Sequence, residues 1–163
     1  MKIAIISDTH DNVKAIDRFI EIASNEKFDA IIHCGDLCGA GLIRKFMELG
    51  IPFYYTFGNV DSGSSFELTE WVKGAENIHI FKPFGEVELD GKKIAFVHYI
   101  DFAYALCCTK KYNAVFHGHN HRQKKEEVED CLLVNPGAFF DESEMGYAVY
   151  DTQINKVELR SLK

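Results

Sequence analysis

Three short apolar runs punctuate the first part of the chain: Ile3-Ala4-Ile5-Ile6, Ala30-Ile31-Ile32-His33 and Phe53-Tyr54-Tyr55-Thr56. Each has the length and β-branched or aromatic content of a buried strand. What lies between them has helical spacing instead. In DNVKAIDRFIEIASNE, Val13, Ile16, Phe19, Ile20 and Ala23 recur at three- and four-residue steps, with Asn12 placed to cap the N-terminus. LIRKFMELG reads as a second helix, stopped by Gly50 with Pro52 beyond it, and SFELTEWVKGA as a short third. Strands joined by crossover helices pair in parallel, so this half of the chain can build little other than a parallel sheet with helices packed on it.

The second half changes character. FGEVELDGKKIAFVH contains two strands around Asp90-Gly91, a hairpin turn signal. DFAYALCCTKK suits a helix and NAVFHGH another strand. QKKEEVEDCLLVNPG reads as a hairpin turning near Glu129-Asp130, and GYAVYDTQINKVELRS as one turning at Gln153 to Asn155. The expected fold is α/β: two packed β-sheets flanked by helices, in four α-β-β-α layers. Parallel strands come from the first half and antiparallel hairpins from the second. No linker-like or low-complexity stretch divides residues 1–163, which are expected to form one domain.

Bulk charge narrows the function. Acidic residues outnumber basic ones by 25 to 18, for a net charge of −7. That surplus disfavours stable binding to long nucleic acids, which draw their affinity from neutralised phosphates. The run Ile3 to Ile6 is too short for a signal peptide or membrane span, so the expectation is a cytoplasmic protein with no membrane partner. Five cysteines, an odd number, lack a disulfide framework. Cys34 and Cys38 are spaced C-x3-C, which fits packed thiols better than a zinc site. Self-association is left open.

The informative residues lie where the strands end. The first strand runs into Ser7-Asp8-Thr9-His10, the second into Cys34-Gly35-Asp36, and the third into Gly58-Asn59-Val60-Asp61. KIAFV ends in His98, and NAVF in His117-Gly118-His119-Asn120-His121. Ligands of open α/β sheets bind at that carboxyl edge. The glycines before Asp36, Asn59 and His119 are expected to allow the tight turns that aim these side chains. Carboxylates and an amide mixed with imidazoles suit Mn²⁺, Fe, Zn²⁺, Co²⁺ or Ni²⁺ better than Ca²⁺ or Mg²⁺. Two Asp, one Asn and four His exceed the about three protein ligands of a catalytic zinc site, so two ions sharing a carboxylate fit better.

The ordered series SDTHDN, HCGD, FGNVD, VH and GHNH resembles the calcineurin-like metallophosphoesterases, in particular their small, cap-less phosphodiesterase branch of bacteria and archaea. The resemblance implies that Asp8, His10 and His121 hold one divalent ion, that Asn59, His98 and His119 hold the other, and that Asp36 bridges them. Manganese is the first choice of metal. It also implies hydrolysis of small phosphodiesters by a hydroxide bridging two ions about 3.5–4 Å apart. Asn59 would further offer its NH₂ to a phosphoryl oxygen.

The sequence departs from that pattern in three places. Many relatives carry a histidine after the motif's Asn, where this chain has Val60; Asp61 is the nearest ionisable group, either the leaving-group acid or a structural acceptor. Many carry His-Gly-His where this chain has His98-Tyr99-Ile100, and Asn-Pro-Gly-Ser where it has Asn135 to Ala138. His79 is expected at the surface, and His33 and His117 as packed groups that hydrogen-bond the ligands. Two rival readings exist on the same fold. One is a protein-interaction scaffold resembling the small retromer subunit. The other is a repair nuclease, for which this chain lacks length and basic charge.

Overall fold

The computed structural model describes residues 1–140 and 145–163. Its strands are β1 (Lys2–Ile6), β2 (Ala30–His33), β3 (Phe53–Thr56), β4 (Ile78–Phe81), β5 (Gly85–Leu89), β6 (Lys92–Phe96), β7 (Ala114–Phe116), β8 (Lys124–Val128), β9 (Cys131–Asn135), β10 (Gly146–Asp151) and β11 (Lys156–Ser161). The α-helices are α1 (Val13–Glu26), α2 (Ile43–Leu49), α3 (Ser65–Trp71) and α4 (Ile100–Cys108).

One sheet has the order β11-β10-β1-β2-β3-β4 and the other β5-β6-β7-β9-β8. In the first, β1 to β4 are parallel and the β10-β11 hairpin is added antiparallel to β1. The second contains the two expected hairpins, β5-β6 and β8-β9, joined through β7, which runs parallel to both β6 and β9. The parallel runs of both sheets therefore deliver strand ends to one edge.

Period-two alternation builds the layers. On β1, Ile3 and Ile5 face the opposing sheet, where Phe96, Phe116 and Val134 meet them, while Ala4 and Ile6 face Ile16 and Phe19 of α1. A third cluster, with Ala95, Val115 and Leu133 against Ala103 and Leu106 of α4, covers the outer face of the second sheet. Three apolar interfaces between four layers reproduce the α-β-β-α expectation. Each large side chain buried in them contributes about 1.5–3 kcal/mol.

Local signals account for most boundaries. Asn12 caps α1 by accepting the Ala15 amide at 3.2 Å. Gly50 closes α2 at φ 71°. Asp90-Gly91 and Glu129-Asp130 both adopt consecutive positive φ angles, as a right-twisted two-residue hairpin demands. Two details differ from the sequence reading. Val13 is 45% exposed, because the apolar stripe of α1 begins one turn later, at Ala15 and Ile16. His79 is exposed as expected, but its short segment is the edge strand β4, and its ring stacks on Tyr54. No helix among the described residues is long and apolar enough to cross a membrane.

Candidate metal centre

All seven candidate ligands stand at the edge where β1, β2, β3, β6 and β7 end. Backbone hydrogen bonds lock the loops together: Asp8 N–H to Gly35 O (3.0 Å), His10 N–H to Asp36 O (3.1 Å) and Gly118 N–H to His98 O (3.1 Å). Two further bonds cross between the sheets. His119 N–H donates to Asp8 Oδ2 at 3.0 Å, and His98 Nδ1–H donates to the Cys34 carbonyl at 2.9 Å. The second bond fixes the His98 tautomer and leaves the Nε2 lone pair facing the site.

The donors form two groups. In one, the ligand atoms of Asp8, His10 and His121 lie within 4.8 Å of one another. There His121 Nε2 is 3.3 Å from Asp8 Oδ1 and 3.3 Å from His10 Nε2. In the other, His98 Nε2 is 3.3 Å from Asp36 Oδ2 and 3.0 Å from Asn59 Oδ1, which is itself 3.0 Å from His119 Nδ1. Asp36 Oδ2 also lies 3.8 Å from His10 Nε2, so this one oxygen faces both groups. Donors about 2.1 Å from a common ion would be roughly 3.0–3.4 Å apart; the pairs at 3.0 and 3.3 Å fit that spacing, and His10 Nε2 stands farther off, 3.8 Å from Asp8 Oδ1.

The two carboxylates are held in related ways. Asp8 accepts the His119 amide on Oδ2 at 3.0 Å and on Oδ1 at 3.3 Å, with Oδ1 also turned toward the imidazoles; Asp36 accepts the Val60 amide on Oδ1 at 3.0 Å and keeps Oδ2 toward them. Burial pushes both carboxyls up. Interactions with His10 and Ser7 at Asp8, and with His98 and the Val60 amide at Asp36, more than reverse this, so both lie below the ordinary carboxylate range. His10 is raised, chiefly by Asp8. Burial lowers His98, but Asp36 and Asp8 outweigh it and raise it overall. Ionised carboxylates that hold protons on their neighbours mark a place that favours positive charge. Asp8, Asp36 and His98 form a buried floor, and Asn59 and His119 an exposed rim open to a ligand.

The backbone carries strain here. Asp8, His10, Asp36, His119 and His121 all have positive φ, between 42° and 71°. Each such residue costs about 1 kcal/mol or more, and such residues gather at functional sites. The glycines work differently from the expectation for two of three. Gly35 does use φ +101°. Gly58 and Gly118 instead permit close approach: a Cβ there would meet Asp36 Oδ1 at 2.1 Å and Ser7 Oγ at 1.9 Å, respectively.

Asp61, the candidate acid, is held in the manner of a structural acceptor. It is fully buried, and its carboxylate accepts three backbone amides: Asp36 N–H (2.7 Å), Gly58 N–H (2.7 Å) and Cys38 N–H (2.9 Å). A carboxylate filled with amide hydrogens and closed from solvent is an acceptor, so Asp61 shapes the second and third loops. His33 and His117 also organise backbone rather than touching ligand side chains. Gly35 N–H donates to His33 Nδ1 (3.2 Å), so His33 Nε2–H donates to Thr9 Oγ1 (3.1 Å). A proton on Nδ1 would oppose that amide, and full burial lowers the His33 pKa to about 4. His117 Nδ1 points to its neighbour's carbonyl, Gly118 O, at 3.0 Å. Asn135, read as a turn residue, also holds the Gly118 carbonyl at 3.0 Å.

Two aromatic rings escaped the sequence reading. Phe140, 55% exposed, packs edge-on against His10 and His121 with centroids 5.4 and 5.1 Å away. Tyr99, 45% exposed, does the same to His98 and His119 at 5.2 and 5.0 Å. An aromatic residue directly after a strand-end histidine was the available signal for Tyr99.

A metal-dependent phosphoester hydrolase is the class defined by two sheets that converge on such a donor set, and comparison with known proteins agrees. The chain belongs to the calcineurin-like phosphoesterase superfamily, whose domain matches residues 1–155. Phosphodiesterase MJ0936 of Methanocaldococcus jannaschii is 37% identical over 139 residues, 84% of this chain and 83% of that protein. The solved structure of an archaeal phosphodiesterase superposes with a TM-score of 0.88 at 32% identity, covering 98% of this chain and 99% of the other. Vacuolar protein sorting 29 from Cryptosporidium parvum superposes with a TM-score of 0.66 at 16% identity, covering 98% and 95%, a likeness of fold alone.

Proposed function

We propose that the chain hydrolyses small phosphodiesters using two divalent ions, one at Asp8, His10 and His121 and the other at Asn59, His98 and His119, with Asp36 shared. The observation that carries this reading is Asp36 Oδ2, one carboxylate oxygen facing imidazoles of both groups. When bound, the ions would supply Lewis acidity toward the phosphoryl oxygens and activation of a water nucleophile. Manganese suits the mixed carboxylate, amide and imidazole set.

The chain's own residues would do the rest. Asp8 and Asp36 return only two negative charges, so the loaded site stays cationic and attracts an anionic diester. Asn59 turns Oδ1 toward His98 and His119, which leaves its NH₂ as a hydrogen-bond donor for a phosphoryl oxygen. Phe140 and Tyr99 stand beside the two donor groups as surfaces for the ester substituents. The net charge of −7 supports a small substrate over long nucleic acid.

The test combines elemental analysis with turnover. Protein loaded with Mn²⁺ and freed of excess metal is expected to hold two ions per chain and to cleave bis-aryl phosphodiesters. One ion or none would remove the dinuclear reading. Two ions with no turnover of any diester would leave the interaction scaffold as the better account.

Leaving-group dependence follows from the third loop. Val60, 43% exposed, places an alkyl group where an acid would be wanted, and Asp61 is buried as an acceptor. Aryl diesters should therefore be cleaved about 100-fold or more faster than alkyl diesters, the scale on which general acids contribute. Equal rates with chemistry limiting would show that another group donates the proton.

A further inference from the structure

We propose that Cys107 and Cys131 are a cross-linking pair that closes a disulfide between α4 and β9. Their sulfurs lie 2.9 Å apart. That is inside the about 3.5–4.0 Å of ordinary non-bonded heavy-atom contact. It leaves roughly 1 Å to travel to a bond of about 2.05 Å, a shift that small side-chain rotations supply. Both residues are fully buried in the apolar layer between α4 and the second sheet, so the sulfurs already face each other in a fixed place.

The remaining thiols have no such partner geometry. Cys34 lies between the two sheets, Cys38 sits beside His10, and Cys108 is exposed on α4. The odd total of five thus resolves into one pair and three single thiols. Cys131 opens β9, at the end of the second sheet away from the metal ligands, so the bond is independent of the hydrolytic site.

The chemistry needs an oxidant, and a low-molecular-weight disulfide such as oxidised glutathione supplies it. The Cys131 thiolate attacks one reagent sulfur, breaks the reagent S–S bond and releases one reagent thiolate. The Cys107 thiolate then attacks the Cys131 sulfur of the mixed disulfide and releases the second. Two protein thiols lose two protons and two electrons, and one reagent disulfide becomes two thiols. Burial means that the exchange occurs while the chain folds or opens, and that the closed bond is shielded from reductants in the folded protein.

The full chain, unfolded and then refolded in oxidised and reduced glutathione, is acid-quenched and its thiols titrated under denaturing conditions. Three titratable thiols are expected in place of five, with peptide mapping showing a Cys107–Cys131 bridge. A midpoint of thermal unfolding higher by on the order of 10 °C than that of the reduced protein is expected for a cross-link of this span. Cys107→Ser protein, refolded in the same way, should keep four thiols and the lower midpoint. Five free thiols in the unsubstituted protein, or a bridge that includes Cys34, Cys38 or Cys108, would overturn the proposal.

Discussion

Asp36→Asn is expected to lower diester turnover by about 100-fold or more while leaving the protein folded. The reason lies in how the carboxylate is held. Oδ1 accepts the Val60 amide, and Oδ2 faces His98 and His10. Asparagine must keep its oxygen on the Val60 amide, since an NH₂ there would oppose another donor. That orientation turns the NH₂ toward the imidazoles, where it supplies neither a lone pair nor a charge. Both donor groups lose a member at once. Turnover with added Mn²⁺, metal content and circular dichroism are the measurements. A folded Asp36→Asn protein with two ions and unchanged turnover would show that the shared oxygen is not shared by ions.

The largest effect on stability is expected at Asp61. Its removal leaves the amides of Asp36, Gly58 and Cys38 without their acceptor in a buried place. Each orphaned group costs about 1–3 kcal/mol, so Asp61→Ala should lower stability by at least roughly 3 kcal/mol. Its midpoint of thermal unfolding should then fall by on the order of 10 °C. Asp61→Asn should fall between the two, because one amide oxygen placed at the Oδ2 position still serves Asp36 and Gly58. The pair of variants also separates clamp from acid. A clamp predicts that Asp61→Asn slows aryl and alkyl diesters by the same factor; a proton donor predicts a much larger loss for alkyl diesters. An Asp61→Ala protein that melts within about 2 °C of the unsubstituted chain would remove the clamp account.

The residues that were readable from sequence are those whose type and order carry the information. Hydrophobic runs placed the strands of the main layers, and polar groups directly after them placed all seven donors at one edge. Less was readable where tertiary contacts decide. β4 is an edge strand with only Ile78 buried, and it takes its strand geometry from pairing with β3 rather than from burial of its own side chains. The positive φ angles fall on Asp and His, which are enriched in left-handed backbone but occur far more often outside it, so residue type alone does not mark them. Asp61 looked reactive because its sequence neighbours include a ligand. Two of the amides that occupy it come from residues 36 and 38, which only the folded chain brings near.

Each donor group draws on both sheets. His121 of the later half completes the group begun by Asp8 and His10, and His98 and His119 complete the one begun by Asp36 and Asn59. A chain emerging from the ribosome therefore carries half-sites for as long as residues 98 to 121 are still inside. Isolated carboxylates and a lone imidazole are weak ligands for a divalent cation, so the early half by itself offers no complete donor group. For ions held as proposed, selection would wait until the two sheets have docked and fixed the spacing of the donors.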